Sequence, residues 1–113
     1  MHEQSIVESL LALALKNAEQ AKASKILRIY LVVGELSGVL EEAVNFYFSF
    51  LSRDTIAAQA SLFFTRTPAQ LRCRNCNTIF FPEKLNFHCP NCKEQQVEII
   101  GGRELYIDSM EVE

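Results

Sequence analysis

The sequence predicts an α+β protein: two helices packed on a small antiparallel sheet of about three strands, with a zinc ribbon inserted before the last strand. Three observations lead there. Near the start, apolar residues recur at three- and four-residue spacing, the period of a helix with one buried face. Runs of β-branched and aromatic residues bounded by glycine and proline follow, and these read as strands. The only four cysteines form two Cys-x-x-Cys pairs with twelve residues between them, the spacing of a four-sulfur metal site.

Residues 5–22 are the first helix. Ile6, Val7, Leu10, Leu11, Ala14 and Ala18 share a broad face. Ser5 and Glu8 have capping-box spacing, which places the helix start at Ser5. Lys16, Lys22 and Lys25 gather towards the other end, where cations suit the helix dipole. Residues 26–33 are a strand without a breaker. Gly34 ends it, and Glu35-Leu36-Ser37-Gly38 is a loop. A second helix runs from about Glu41 to Arg53, with Val44, Phe46, Tyr47, Phe48, Phe50 and Leu51 as core material. Residues 61–67 are a second strand, closed by Pro68. After the cysteines the chain returns through Val97–Ile100 and turns at Gly101-Gly102. It ends in a strand over 104–112, where the alternation slips near Asp108 and Ser109, as at a β-bulge. Residues 1–67 and 99–113 thus form one domain, and residues 68–98 form the ribbon.

Two residues between thiols let one tight turn offer both sulfurs to a single ion. Two such turns, Cys73-x-x-Cys76 and Cys89-x-x-Cys92, make a tetrahedral cage suited to zinc. Iron takes the same thiolates, and spacing alone leaves it open. The apolar residues of the ribbon are few, so the metal supplies much of its stability. His88, beside Cys89, is read as a group around the cage or facing solvent rather than as a ligand. A closed cage has no open position for substrate, so no enzyme is expected. No glycine-rich phosphate loop is present either, so the chain is not expected to hydrolyse GTP itself.

At 113 residues the chain holds one modest domain and a small metal-bound unit, and nearly half its residues are hydrophobic, which suits a folded core and argues against disorder. The formal net charge is −3. The ribbon has four cations, Arg72, Arg74, Lys84 and Lys93, against three acids, too balanced for the basic stripe that nucleic-acid binding needs. A zinc-ribbon adaptor in a transcription or translation complex is therefore the alternative reading, not the first. The opening residues carry no basic region or cleavage site, and Glu8 and Lys16 interrupt the first apolar run. The expectation is a cytoplasmic protein without a membrane anchor.

The chain starts Met1-His2-Glu3. A bulky residue at position 2 blocks removal of the initiator methionine, so the free amine is that of Met1. That amine titrates near ~8 and yields its proton to a metal at neutral pH. The amine, the backbone nitrogen of His2 and its imidazole close two fused chelate rings, and Glu3 adds a carboxylate. Nitrogen-rich planar sets favour Ni(II) or Cu(II).

Met1-His2-Glu3, then Val33-Gly34-Glu35-Leu36-Ser37-Gly38-Val39, then the paired cysteines, then Ile107-x-Ser109-Met110-Glu111-Val112-Glu113, together resemble the HypA/HybF family. These are nickel metallochaperones of [NiFe]-hydrogenase maturation, and the likeness covers the whole chain in order and spacing. It implies a nickel domain built from both ends of the chain, and a zinc ribbon. It implies Ni(II) as cargo on Met1, His2 and Glu3, and structural zinc on Cys73, Cys76, Cys89 and Cys92. It implies delivery to the large subunit of an immature hydrogenase with the maturation GTPase HypB, and in some members to urease through its accessory proteins. No nucleic-acid or membrane partner is implied, and the chain is expected as a monomer or weak dimer. One position departs: some relatives carry an aspartate where this chain has Leu40. Glu41, Glu42 or water replaces that ligand, or the two glutamates simply suit the first turn of a helix.

Overall fold

The computed structural model describes residues 3–83 and 86–113. Its elements run α1 (Glu3–Gln20), β1 (Ile26–Gly34), α2 (Glu41–Leu51), β2 (Ser61–Thr67), β3 (Gln70–Cys73), β4 (Ile79–Phe80), β5 (Val97–Gly101) and β6 (Leu105–Val112). They make two three-stranded sheets, ordered β2–β1–β6 and β4–β3–β5. The chain divides into two compact units. One holds Met1–Val32, Val39–Thr65 and Tyr106–Glu113; the other holds Val33–Gly38 and Arg66–Leu105.

In the first unit, α1 buries Val7, Leu11, Ala14 and Ala18, and α2 buries Val44 and Phe48. Val7 and Leu10 of α1, Val44 and Phe48 of α2, and Ile29, Leu31, Leu62 and Ile107 of the strands surround one apolar gap. Both helices therefore cover the same sheet face. On the strands, Tyr30 stacks on Phe63 at 5.3 Å between centroids. The Tyr30 hydroxyl donates to Glu111 Oε2 at 3.1 Å, and Arg28 pairs with Glu111.

Several expectations change here. The β2–β1–β6 sheet is mixed, not antiparallel. Backbone bonds join Gly34 to Glu104 and Lys25 to Glu113, so β1 and β6 run in opposite senses. They also join Ile26 to Ile56 and Glu35 to Thr67, with both numbers rising together. That marks β1 and β2 as parallel, the pairing a helical crossover such as α2 produces. Ser5 lies inside α1 rather than at its start, so its spacing to Glu8 is not the helix cap. No basic residue falls in the last turn of α1. The helix ends instead at Gln20 and is closed by Lys22 beyond it, whose φ of 57° is left-handed. The N–H groups of Ala23 and Lys22 bond the carbonyls of Ala18 and Glu19, the pattern that satisfies a helix C-terminus. On β6, the exposed pair Asp108 and Ser109 separates the half-buried Ile107 and Met110, where the alternation slips.

In the second unit β3 is central. It pairs antiparallel with β4 (Leu71 opposite Phe80) and with β5 (Leu71 opposite Ile99, Cys73 opposite Val97). Leu71, Cys73, Phe80 and Cys89 form its small core, with Cys76, Cys92 and Val97 against them. The segment Val33–Gly38, of which Glu35–Gly38 was expected as a simple loop, groups with this unit. Glu35 N–H bonds Thr67 O at 2.8 Å, Leu36 N–H bonds Gly102 O, and Glu35 Oε1 accepts from Ala69 N–H at 3.3 Å. The Glu35 carboxylate thus serves the backbone where the chain enters the ribbon. Glu104 Oε1 accepts from the Thr67 hydroxyl and from Gly102 N–H, both at 2.8 Å.

Candidate metal centre

The four thiols sit on two turns of the same construction. Cys73 closes β3, and its N–H bonds Thr78 O at 2.9 Å; in the second turn Cys89 N–H bonds Glu94 O at 2.9 Å. The residue after each second cysteine folds back: Asn77 N–H reaches Cys73 O at 2.8 Å, and Lys93 N–H reaches Cys89 O at 2.9 Å. Both Asn77 and Lys93 are left-handed, with φ of 64° and 68°. Tight reversal after Cys76 and after Cys92 aims each pair of sulfurs at a common point. The first cysteine of each turn is buried and the second is half-buried.

All four Sγ atoms lie within 4.8 Å of one another. Cys73 and Cys92 approach to 3.5 Å, Cys76 and Cys89 to 3.6 Å. A sulfur–sulfur bond needs about 2.05 Å, so all four are free cysteines. Four sulfurs at about 2.3 Å from one zinc stand about 3.8 Å apart in a tetrahedron. The donor set and its spacing therefore fit zinc, which would join the two turns.

Hydrogen-bond donors surround the sulfurs. Asn75 N–H reaches Cys73 Sγ and Asn91 N–H reaches Cys89 Sγ, each at 3.4 Å. The side-chain amide of Asn75 reaches Cys92 Sγ at 3.5 Å, and that of Asn91 reaches Cys76 Sγ at 3.6 Å. Thr78 Oγ1 lies 3.0 Å from Cys76 Sγ. The Thr78 hydroxyl, then its backbone N–H and the Asn91 amide, hold the Cys76 thiol down to about 6. The Asn75 amide and the Glu94 backbone lower Cys92. At Cys73 the Cys76 backbone N–H favours the thiolate, yet burial and the adjacent Cys92 and Cys76 thiols outweigh it and push the group up to about 11. Donors thus favour the anion most at the half-buried sulfurs. Asn75, Asn91 and Thr78 were not singled out from the sequence, although the repeat Cys-x-Asn-Cys is visible in it twice.

His88 is not part of the cage. Its Nδ1 lies 2.7 Å from Asn86 Oδ1, an acceptor, so Nδ1 carries the proton. Nε2 then accepts from the Gln95 amide. Both ring nitrogens are engaged away from sulfur, and the side chain is exposed. Of the N-terminal set, Met1 and His2 lie outside the described residues. Glu3 opens α1 and is half-buried. Glu41 and Glu42 occupy the first turn of α2, behind an exposed Leu40 with extended backbone. Among the described residues, the four cysteines are the one cluster of three or more His, Cys, Asp or Glu side chains with metal-site spacing. No described helix is long and apolar enough to cross a membrane.

Residues 1–112 match the family model described as "Hydrogenase/urease nickel incorporation, metallochaperone, hypA". The chain is 47% identical over 113 residues to a hydrogenase maturation factor HypA of Dehalococcoides mccartyi (strain 195), covering all of this chain and 95% of that protein. It is 40% identical over 114 residues to a factor of the same name from Caldanaerobacter subterraneus, covering both completely. Its fold resembles the solution structure of the Ni metallochaperone HypA from Helicobacter pylori, with a TM-score of 0.71, 29% identity, and coverage of 99% and 97% of the two chains. A second solution structure, of a HypA protein, gives a TM-score of 0.76 at 30% identity, covering 99% and 96%.

Proposed function

The chain belongs to the HypA family of hydrogenase and urease nickel-incorporation metallochaperones, and from that premise we propose that it takes Ni(II) at its own N-terminus. The Met1 amine, the backbone nitrogen and imidazole of His2 and the Glu3 carboxylate are the donors. The observation that carries this reading is a family match that runs from residue 1 and so includes all three residues. A site at a chain end suits a carrier, because an incoming donor attaches before an outgoing one has left. Delivery is to immature [NiFe]-hydrogenase with the maturation GTPase HypB, and to urease where one is made. The work is carrying rather than catalysis, and it takes place in the cytoplasm, where four free thiols stay reduced. We assign nickel to residues 1–67 and 99–113, and zinc, on Cys73, Cys76, Cys89 and Cys92, to residues 68–98.

The adaptor reading has less behind it. Arg72 is paired with Glu98, and the Lys93 ammonium bonds Pro90 O at 3.2 Å, so two of the few ribbon cations already have partners.

Nickel titration of the zinc-loaded chain by calorimetry tests the proposal. His2→Ala, and a chain with one residue added before Met1, are both expected to lose nickel binding at neutral pH while keeping their zinc. Equal nickel affinity in all three proteins overturns the site. A sulfur-rich nickel shell in X-ray absorption moves it to the cysteines.

A further inference from the structure

Each Cys-x-x-Cys turn carries an asparagine just before its second cysteine, and each asparagine serves both halves of the cage. Asn75 gives its backbone N–H to Cys73 in its own turn and its side-chain amide to Cys92 in the other. Asn91 gives its backbone N–H to Cys89 and its side-chain amide to Cys76. The two patterns are related by a shift of sixteen residues, from 75 to 91.

We propose that Asn75 and Asn91 are positioning residues of the four-cysteine cage, each fastening the outer sulfur of the opposite turn, and that together they set how slowly the ion leaves. The four sulfurs differ in access. Cys73 and Cys89 are buried, whereas Cys76 and Cys92 are half-buried, so a proton or chelator reaches Cys76 and Cys92 first. These are the sulfurs the two amides cover. A thiolate is a charged acceptor, and an N–H directed at it stabilises the anion more than a neutral pair is stabilised. The amide also draws charge from the sulfur and fixes its direction, as partners of metal ligands do generally. Crossing adds a mechanical effect, since neither turn moves off without breaking a bond to the other. The two sides are unequal: when Asn91 is lost Cys76 keeps the Thr78 hydroxyl besides a backbone N–H, whereas when Asn75 is lost Cys92 keeps the Glu94 backbone N–H and its contact with Cys73 but no hydroxyl. Losing Asn75 is therefore the heavier of the two changes. None of this depends on where nickel binds.

The test uses the full zinc-loaded chain and its Asn75→Ala and Asn91→Ala variants. Zinc transfer to a chromogenic chelator is expected to run about tenfold faster in Asn75→Ala, and less accelerated in Asn91→Ala. Limited alkylation with iodoacetamide followed by mass mapping then reads the crossing. Cys92 is modified first in Asn75→Ala, and Cys76 first in Asn91→Ala. In the Co(II)-loaded variants the sulfur-to-cobalt charge-transfer band moves to lower energy, which simple loosening of a turn does not cause. If an alanine variant fails to fold, Asn75→Asp or Asn91→Asp keeps the shape and replaces the donor with an acceptor. It must release zinc faster than the parent. Release rates within about twofold of the parent, or the same cysteine modified first in both variants, overturn the proposal.

Discussion

A Cβ atom built on Gly34 lies 2.1 Å from the carbonyl oxygen of Gly102. The obstacle is backbone, so no rotamer change relieves it. Gly34 itself has ordinary φ; only its missing side chain matters. Gly34→Ala is expected to cost about 3 kcal/mol in urea unfolding of the zinc-loaded chain. Gly38, four residues on, has a φ of +76° and open space within 4 Å of where a Cβ would stand. Gly38→Ala should cost only about 1 kcal/mol, from backbone strain alone. Equal losses in the two variants would rule out the close approach as the cause.

Glu104 stands beside this contact, and its acid behaviour is testable. Its own backbone N–H, then the Thr67 hydroxyl and the Gly102 N–H, hold its carboxyl below the ordinary 4.5. A depressed value in the folded state means the unfolded chain takes up the proton first as pH falls. The contribution is therefore complete above about pH 4.5 and disappears as pH drops through the folded-state value. Glu104→Gln is expected to be less stable than the parent at pH 7, with the two urea midpoints converging below pH 4.5. A constant gap across that range would place the effect in packing rather than charge.

Lys93 occupies a left-handed conformation that suits glycine, with φ of 68°. Lys93→Gly removes that strain at the cost of one exposed bond to Pro90. Stability of the zinc-loaded chain should rise by about 1 kcal/mol, read as a higher thermal midpoint. Asn77, at 64° in the matching place, tolerates the conformation better, so Asn77→Gly should gain less.

The helices, β1, β2 and the cysteine turns were legible because each rests on local signals: periodicity, β-branched runs and ligand spacing. The parallel β1–β2 pair was written in the same signals, since an eleven-residue helix between two strands makes a crossover, yet the direction of pairing went unused. Ser5 and Glu8 misled because a spacing of three also arises inside any helix. The role of Gly34-Glu35-Leu36 was not legible, because its partners Thr67, Ala69 and Gly102 are remote in sequence and only folding brings them together. Asn75 and Asn91 were readable in principle from the doubled Cys-x-Asn-Cys. Their crossing was not, since it depends on how two turns face each other.

The crossed asparagines also bear on how the ribbon is born. When the ribosome has released the chain as far as Phe81, one turn is complete and its Asn75 amide has no opposite sulfur to meet. Two thiolates alone grip an ion poorly, so loading waits for Cys92 to emerge. Metallation is then a late, all-at-once event of synthesis, and a truncated product leaves the ribosome empty rather than half filled.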